Sequence, residues 1–399
     1  MISSYMKEKV AGSSAIRQMF EEGKRLSGIY GAEHVFDYSL GNPNVAPPDK
    51  VKESITRILE EMTPGSVHGY MNNSGFVEVR TKIADFEHRT KGVDVNEKHI
   101  VMTCGAAGGL NVVLKTLMEP GDELLTFAPY FAEYNHYASN VGCTLKVVPA
   151  DTKTFQPNLQ EFEAFINKHT KVVIINSPNN PSGAIYTEAS IKAIAAVLKA
   201  KEVEYGHPIV LVSDEPYREI VYDDTVIPYL LNYYHNALVV YSYSKSLSLP
   251  GERIGYITIN PDFQEVDAVV AAFNVANRIL GFVNAPSLFQ LVAGDVVDTS
   301  IDISQYRKNR DLLYPFMLEQ GFECVKPEGT FYLFVKAPIE DELAFCNKAK
   351  EYNVLLVPGR AFGCPGYFRM SYCIAYDKVE KSLDAIAKLA EFYRNQVVK

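Results

Sequence analysis

Between residues 99 and 259 the chain alternates short, nearly continuous apolar runs with segments of helical pattern. The apolar runs cover 99–103, 123–127, 144–148, 171–176, 208–213, 238–242 and 256–259, and most are rich in Val, Ile and Leu. A strand with one wet face alternates apolar and polar residues, so unbroken runs mark strands covered on both faces. Helical segments such as 108–117, 159–167 and 190–200 lie between them. This order implies an α/β fold, with a mostly parallel seven-stranded sheet flanked by helices.

The pattern changes near the C-terminus. Residues 287–320 read as one long helix, followed by a strand-like 330–335, a helix over 340–352, short strands near Val354 and Phe368, and a closing helix from Val379. This suits a smaller α+β domain, onto which the first 45 residues, with a helix over 15–26, are expected to pack. The expected division is a large domain over 46–290 and a small one made of 1–45 and 291–399. No repeat, low-complexity stretch or linker interrupts the chain.

Composition narrows the partners. The net charge is −9, without a basic run or basic–aromatic interleaving, which argues against nucleic acid and anionic membranes. No apolar stretch is long enough to span a bilayer, and the opening MISSYMKEKVAGSS lacks the apolar core of a secretion signal. Six cysteines without CxxC or regular spacing read as reduced thiols of a cytoplasmic protein, with no metal site. Cys104 and Cys364 border glycine-rich segments, and both are expected to be small buried hydrophobes.

Ligands of an open α/β sheet bind beyond the carboxyl ends of its strands. Polar clusters sit at four such ends: Thr103-Cys-Gly105-Ala-Ala-Gly-Gly109, Ser177-Pro-Asn-Asn180-Pro-Ser-Gly183, Ser213-Asp214-Glu-Pro-Tyr217 and Ser242-Tyr-Ser-Lys245. All four are expected to converge on one sheet edge. The glycine turn opening a helix is an anion site by its free N–H groups, although it is neither GxGxxG nor a Walker loop. A tight strand–helix turn is the plain alternative.

Lysine is costly to bury, so Lys245 after an apolar strand is either a snorkelling surface residue or a Schiff-base nucleophile. Asp214 closes another apolar run and requires a cation, from a salt bridge or from a protonated ring nitrogen. Arg253, between Gly251 and Gly255, is either an ordinary surface cation or a phosphate clamp. An amine, a carboxylate, a phenol, an amide, an anion cradle and an arginine are what pyridoxal phosphate requires.

In this order and spacing, N-S-P-x-N-P-[ST]-G, S-D-E-x-Y and S-x-S-K with an arginine eight residues on in G-x-R-x-G give a specific pattern. The chain resembles the fold-type I, class I/II pyridoxal-phosphate-dependent aminotransferases over nearly its whole length. The resemblance implies that Lys245 binds the cofactor and shuttles the substrate proton, and that Asp214 pairs with the pyridine nitrogen. It implies that Tyr217 and Asn180 bond the ring oxygen, and that Phe131 stacks on the ring. Gly105, Ala106, Ala107, Ser242 and Arg253 would hold the phosphate.

Phe368-Arg369-Met-Ser371 resembles the motif whose arginine grips the substrate α-carboxylate, a task suited to a planar bidentate fork. Gly41, in Ser39-Leu-Gly-Asn-Pro43, and Asn180 would touch the same carboxylate. Tyr70 matches a tyrosine that reaches the partner's phosphate, implying a homodimer with shared active sites. His68 beside it reads as structural, Arg360 falls at a variable position, and Asn42 says little about substrate.

The implied reaction moves an amino group from an L-amino acid to a 2-oxo acid by a ping-pong route in amino-acid metabolism. Closure of the small domain over Arg369, aided by Ile16 and Arg17, would exclude water. Aspartate, alanine and aromatic donors stay open, as does a side-chain contact from Arg278, with a surface position expected for it. A C–S β-lyase on the same scaffold is the alternative, and a non-catalytic regulator a more distant one. The phosphate turn departs from the family by reading Gly105-Ala-Ala-Gly-Gly, leaving backbone N–H groups to do the holding.

Overall fold

A computed structural model describes residues 1–11 and 15–397. A two-residue strand β1 (Phe36–Asp37) precedes the seven strands of the large sheet. These are β2 (Ile100–Thr103), β3 (Glu123–Phe127), β4 (Thr144–Val148), β5 (Thr170–Asn176), β6 (Val210–Asp214), β7 (Ala237–Ser242) and β8 (Gly255–Ile259). Their order is β2-β8-β7-β6-β5-β3-β4, and β8 runs antiparallel to both of its neighbours while the remaining pairings are parallel.

Successive residues of a strand point to opposite faces, and here both faces are dry. Leu125, Val173, Leu211 and Val239 join one core, packed beneath helices that include Val77–Lys91 and Glu188–Tyr205. Their neighbours Leu124, Val172, Val212 and Val240 join a second core with Leu110 and Val113 of the helix Gly105–Leu117. Double coverage explains why the runs lack polar alternation.

The C-terminal part forms an antiparallel sheet of β9 (Glu323–Cys324), β10 (Tyr332–Lys336), β12 (Val357–Pro358) and β13 (Tyr367–Ser371), in the order β12-β13-β10-β9. Strand β11 (Val354–Leu355) instead pairs in parallel with β1, tying the first segment to the last. Phe36 and Tyr38 share one core with Phe331, Leu356 and Val379.

The single helix expected over 287–320 is two helices, Ser287–Asp295 and Ser304–Glu319. Asp302 explains the new start: its carboxylate accepts the Ser304 N–H at 2.8 Å and the Ser304 hydroxyl at 2.9 Å, competing with helix continuation. Ile301, between them, is buried and donates its N–H to the Ser246 carbonyl at 2.8 Å. The first of these helices packs on the helices Asp49–Glu61 and Val77–Lys91, with Leu291, Val292 and Ala293 in the same core as the large sheet, so a junction at 290/291 would cut through it. The strand expected over 330–335 begins at Tyr332 because Thr330 turns with φ +63°, and β9 had no counterpart in the sequence pattern. No described helix is long and apolar enough to cross a membrane.

Candidate active site

Strand register brings the polar clusters together. Asn176 and Asp214 are direct partners at the ends of β5 and β6. Because β8 runs the other way, its first residue Gly255 pairs with both Ser242 and Thr103, the last residues of β7 and β2. Arg253, two residues earlier, therefore arrives at the same edge. A cavity of about 290 Å³ opens there, lined by Gly41, Ala106, Ala107, Phe131, Asn180, Asp214, Tyr217, Ser242, Lys245, Arg253 and Arg369.

Lys245 lies in the short helix Tyr243–Ser246, whose first turn is capped by Ser242 accepting the Ser244 N–H. Its Nζ donates to the Gly41 carbonyl at 2.6 Å and sits 5.7 Å from the Phe331 ring centre. Burial lowers its pKa to about 8; the Cys373 thiol opposes this, while the Arg369 and Arg253 charges add to it. Much of the lysine is thus neutral, and nucleophilic, at mildly alkaline pH.

Asp214 is fully enclosed. Its Oδ2 accepts from the Tyr134 hydroxyl at 2.7 Å, whereas Oδ1 is buried with no partner. Burial raises its pKa to about 7, with the Tyr134 hydrogen bond opposing and the neighbouring Glu215 charge assisting. A buried carboxylate oxygen without a donor is costly. The N–H of a protonated pyridine ring satisfies it, so pyridoxal phosphate fits this donor set.

The phosphate end is built from backbone. The helix Gly105–Leu117 starts at the glycine itself, so Ala106 and Ala107 offer first-turn N–H groups at the cavity. Gly105 has φ +70°, and a Cβ there would lie 3.0 Å from Arg253 Nη2, so glycine serves both the turn and the approach of the guanidinium. Arg253 is steadied by donating from Nη1 to the Pro250 carbonyl at 3.0 Å.

The opposite end belongs to the small sheet. Arg369 sits on β13 between Phe334 of β10 and Val357 of β12. It donates from Nη2 to the Ser39 carbonyl at 2.6 Å and from Nη1 to Asn180 Oδ1 at 3.0 Å, and its Nε has no partner. Its guanidinium lies over the rings of Tyr332, at 4.6 Å, and Phe362, at 4.9 Å. Among the described residues no carboxylate pairs with this buried cation.

Gly105 stands behind the cavity wall, next to Arg253, and Tyr70 is outside it at 94% exposure. Arg278 is exposed on the helix Val266–Ile279 and does not line the cavity. Arg360 is bound to Glu342 and Asp341. Cys364 is buried in a small aromatic cluster, and Cys104 is half-buried before the phosphate helix. The side chains of Ile16 and Arg17 lie outside those described.

Tyr134, Tyr137, Tyr332 and Asn176 were not anticipated. Tyr137 and Tyr332 line the cavity, and Asn176 donates to the Asp214 carbonyl at 2.8 Å while accepting the Asn180 N–H at 2.7 Å. Asn176 opens the motif already singled out, so its position was a usable signal. Tyr332, in Thr330-Phe-Tyr-Leu-Phe-Val335, looks like any core-strand aromatic.

Residues 33–386 match the family model for aminotransferase class I and II. An aspartate aminotransferase of Thermotoga maritima is 29% identical over 92% of this chain and 94% of its own length. A probable aspartate/prephenate aminotransferase of Aquifex aeolicus is 30% identical over 90% and 91%. The crystal structure of an aminotransferase from Eubacterium rectale superposes with a TM-score of 0.96, at 44% identity over 98% of this chain and 99% of that one.

Proposed function

The chain belongs to the class I and II aminotransferases, and on that premise we propose that Lys245, Asp214 and Arg369 are the three poles of its active site. The enzyme is a pyridoxal-phosphate-dependent aminotransferase acting on amino acids and 2-oxo acids. One observation carries the assignment of poles. Among the described residues Asp214 lacks a cation and Arg369 lacks a carboxylate, though both are buried and line the same cavity as a lysine with a depressed pKa. Buried charges without counter-charges are expensive unless a ligand supplies them.

When bound, pyridoxal phosphate supplies an aldehyde and a cationic ring that withdraws electrons from the substrate bond being broken. Asp214 Oδ1 would hold the ring N–H, and Tyr217 and Asn180 the ring oxygen. Phe131 would cover a ring face, and first-turn N–H groups with Ser242 and Arg253 the phosphate. Arg369, Asn180 and Gly41 take the α-carboxylate and so orient Cα. Lys245 Nζ, within the same enclosure, takes up the proton that leaves Cα.

We place Tyr70 at the phosphate of a second copy, making a homodimer with shared sites, and the enzyme in the cytoplasm, in keeping with its free cysteines. We assign residues 46–296 to cofactor binding and 1–45 with 297–399 to a smaller unit, moving the expected junction at 290/291 past Val296 because the helix Ser287–Asp295 packs in the large-domain core. Aspartate, alanine and aromatic donors form the proposed set, with 2-oxoglutarate as acceptor. The names of the relatives put aspartate first.

Borohydride reduction of the loaded enzyme followed by peptide mass mapping is expected to fix a pyridoxyl group on Lys245. A label elsewhere, or none, overturns the assignment. A donor panel against 2-oxoglutarate then ranks the substrates, and pyruvate released from a cysteine conjugate without any acceptor would instead indicate a lyase.

A further inference from the structure

We propose that Tyr332 is a positioning residue that sets the direction of the Tyr217 hydroxyl proton and couples it to the occupancy of Arg369. The inference rests on the roles given to Tyr217 and Arg369 above. Tyr332 comes from β10 in the small sheet and Tyr217 from the segment after β6 in the large one, yet their hydroxyls lie 2.7 Å apart. Among the described residues each hydroxyl has only the other as partner.

A phenol has one proton to give. If Tyr217 gives its proton to Tyr332, none is left for the cavity that both residues line. If Tyr332 donates, the Tyr217 proton points into that cavity. The surroundings favour the second arrangement. The Tyr332 ring lies 4.6 Å beneath the Arg369 guanidinium, and a cation over a phenol makes it the better acid. Burial pushes both phenols up, Tyr332 to about 12 and Tyr217 well above its ordinary value, with the Arg369 charge opposing the rise in each.

Close packing maintains the arrangement. A Cβ on Gly41 would collide with the Tyr332 hydroxyl, so glycine at that position gives the hydroxyl its place. The carbonyl of the same Gly41 receives Lys245 Nζ at 2.6 Å. A carboxylate arriving at Arg369 would neutralise the cation above Tyr332, weaken its donation to Tyr217, and so report substrate binding to the lysine end.

The test is the absorbance titration of the cofactor-loaded enzyme, which reads protonation of the nitrogen linking Lys245 to the cofactor. A hydrogen bond received from Tyr332 makes Tyr217 the stronger donor to the ring oxygen and so favours the unprotonated form, and Tyr332→Phe, which removes that bond, is expected to raise the midpoint by about 0.5–1 pH unit. It should also blunt the shift caused by propionate, used as a carboxylate probe for Arg369. In a Tyr217→Phe background the same substitution should add nothing.

An unchanged midpoint, or an equal shift in the Tyr217→Phe background, overturns the proposal. Should Tyr332→Phe fail to fold, Gly41→Ala displaces the hydroxyl while keeping it, and must move the midpoint in the same direction. If the wild type shows no titrating band and no borohydride label on Lys245, the functional reading itself falls, and this inference with it. A labelled, titrating enzyme that is indifferent to Tyr332 sinks the inference alone.

Discussion

The two ends of the cavity hold their ionisable groups by different means. At the sheet edge, Asp214 ends β6 and Lys245 follows the adjacent parallel β7, and Arg253 is carried in by the antiparallel strand next to β7. Few side chains are needed to aim them, because strand ends and a helix start already do so. At the small-sheet end, Arg369 is fixed by a carbonyl from residue 39, an amide from residue 180 and rings from residues 332 and 362. A site made from strand ends tolerates changes in its neighbours. One assembled from four distant segments depends on the packing between them.

The largest effect is expected at the sheet edge. Lys245→Ala removes the only amine lining the cavity among the described residues and should lower kcat by on the order of 10⁴-fold or more, without lowering the unfolding midpoint. Steady-state assays with a chemical-denaturation control decide it. Turnover within tenfold of wild type would break the claim that this end performs the proton transfer.

Arg369→Ala should act on binding. Loss of a charge-assisted fork to the α-carboxylate is worth about 3 kcal/mol, or roughly 10²-fold in kcat/KM for both amino and oxo acids. Its packing shell should also loosen, so the melting temperature should fall more than in Lys245→Ala. Equal melting shifts would mean that the two ends do not differ in how they are held.

Asp214→Asn sharpens the comparison through pH. A folded-state pKa of about 7 lies above the unfolded value, so the stability associated with this group is present at acidic pH and is lost as pH rises towards about 7. The cofactor-free variant should therefore gain about 3–4 kcal/mol over wild type at pH 7.5 relative to their difference at pH 4. Lys245 has the opposite sense: lowered from 10.5 to about 8, it destabilises the fold as pH falls through that window. Urea unfolding at pH 4, 7.5, 9 and 10.5 separates the two groups. A pH-independent difference for Asp214→Asn would show that the carboxylate is not held against its preference.

The smallest effect is expected away from the cavity. Arg360 is half exposed, but its partner Glu342 is fully buried. Arg360→Ala should lower the melting temperature slightly, with kcat and KM unchanged. Any loss of activity would extend the Arg369 end further into the small sheet.

How much could be read from sequence follows the same division. Asp214, Lys245 and Asn180 stood out because apolar runs stop at them or just before them, and Arg253 because glycines flank it. Tyr134 carries the hydrogen bond to Asp214 yet sits in an aromatic-rich stretch, APYFAEYNHY, with no spacing to mark it. The long helix was misjudged because Asp302 competes locally for backbone donors, an effect that apolar periodicity does not register. Tyr332 read as strand core and is strand core on one side. Its hydroxyl gains a role only through a residue 115 positions away.

The sequence alone determined the alternation of strand and helix, the doubly covered sheet and the chemical groups at its edge. Strand period and turn chemistry are set by neighbours along the chain. The tertiary structure alone decided that, among the described residues, Asp214 keeps one bare oxygen and Arg369 lacks a counter-charge, and that two phenols meet between the sheets. Those are questions of solvation, and the cost of a charge depends on which distant segments exclude water from it.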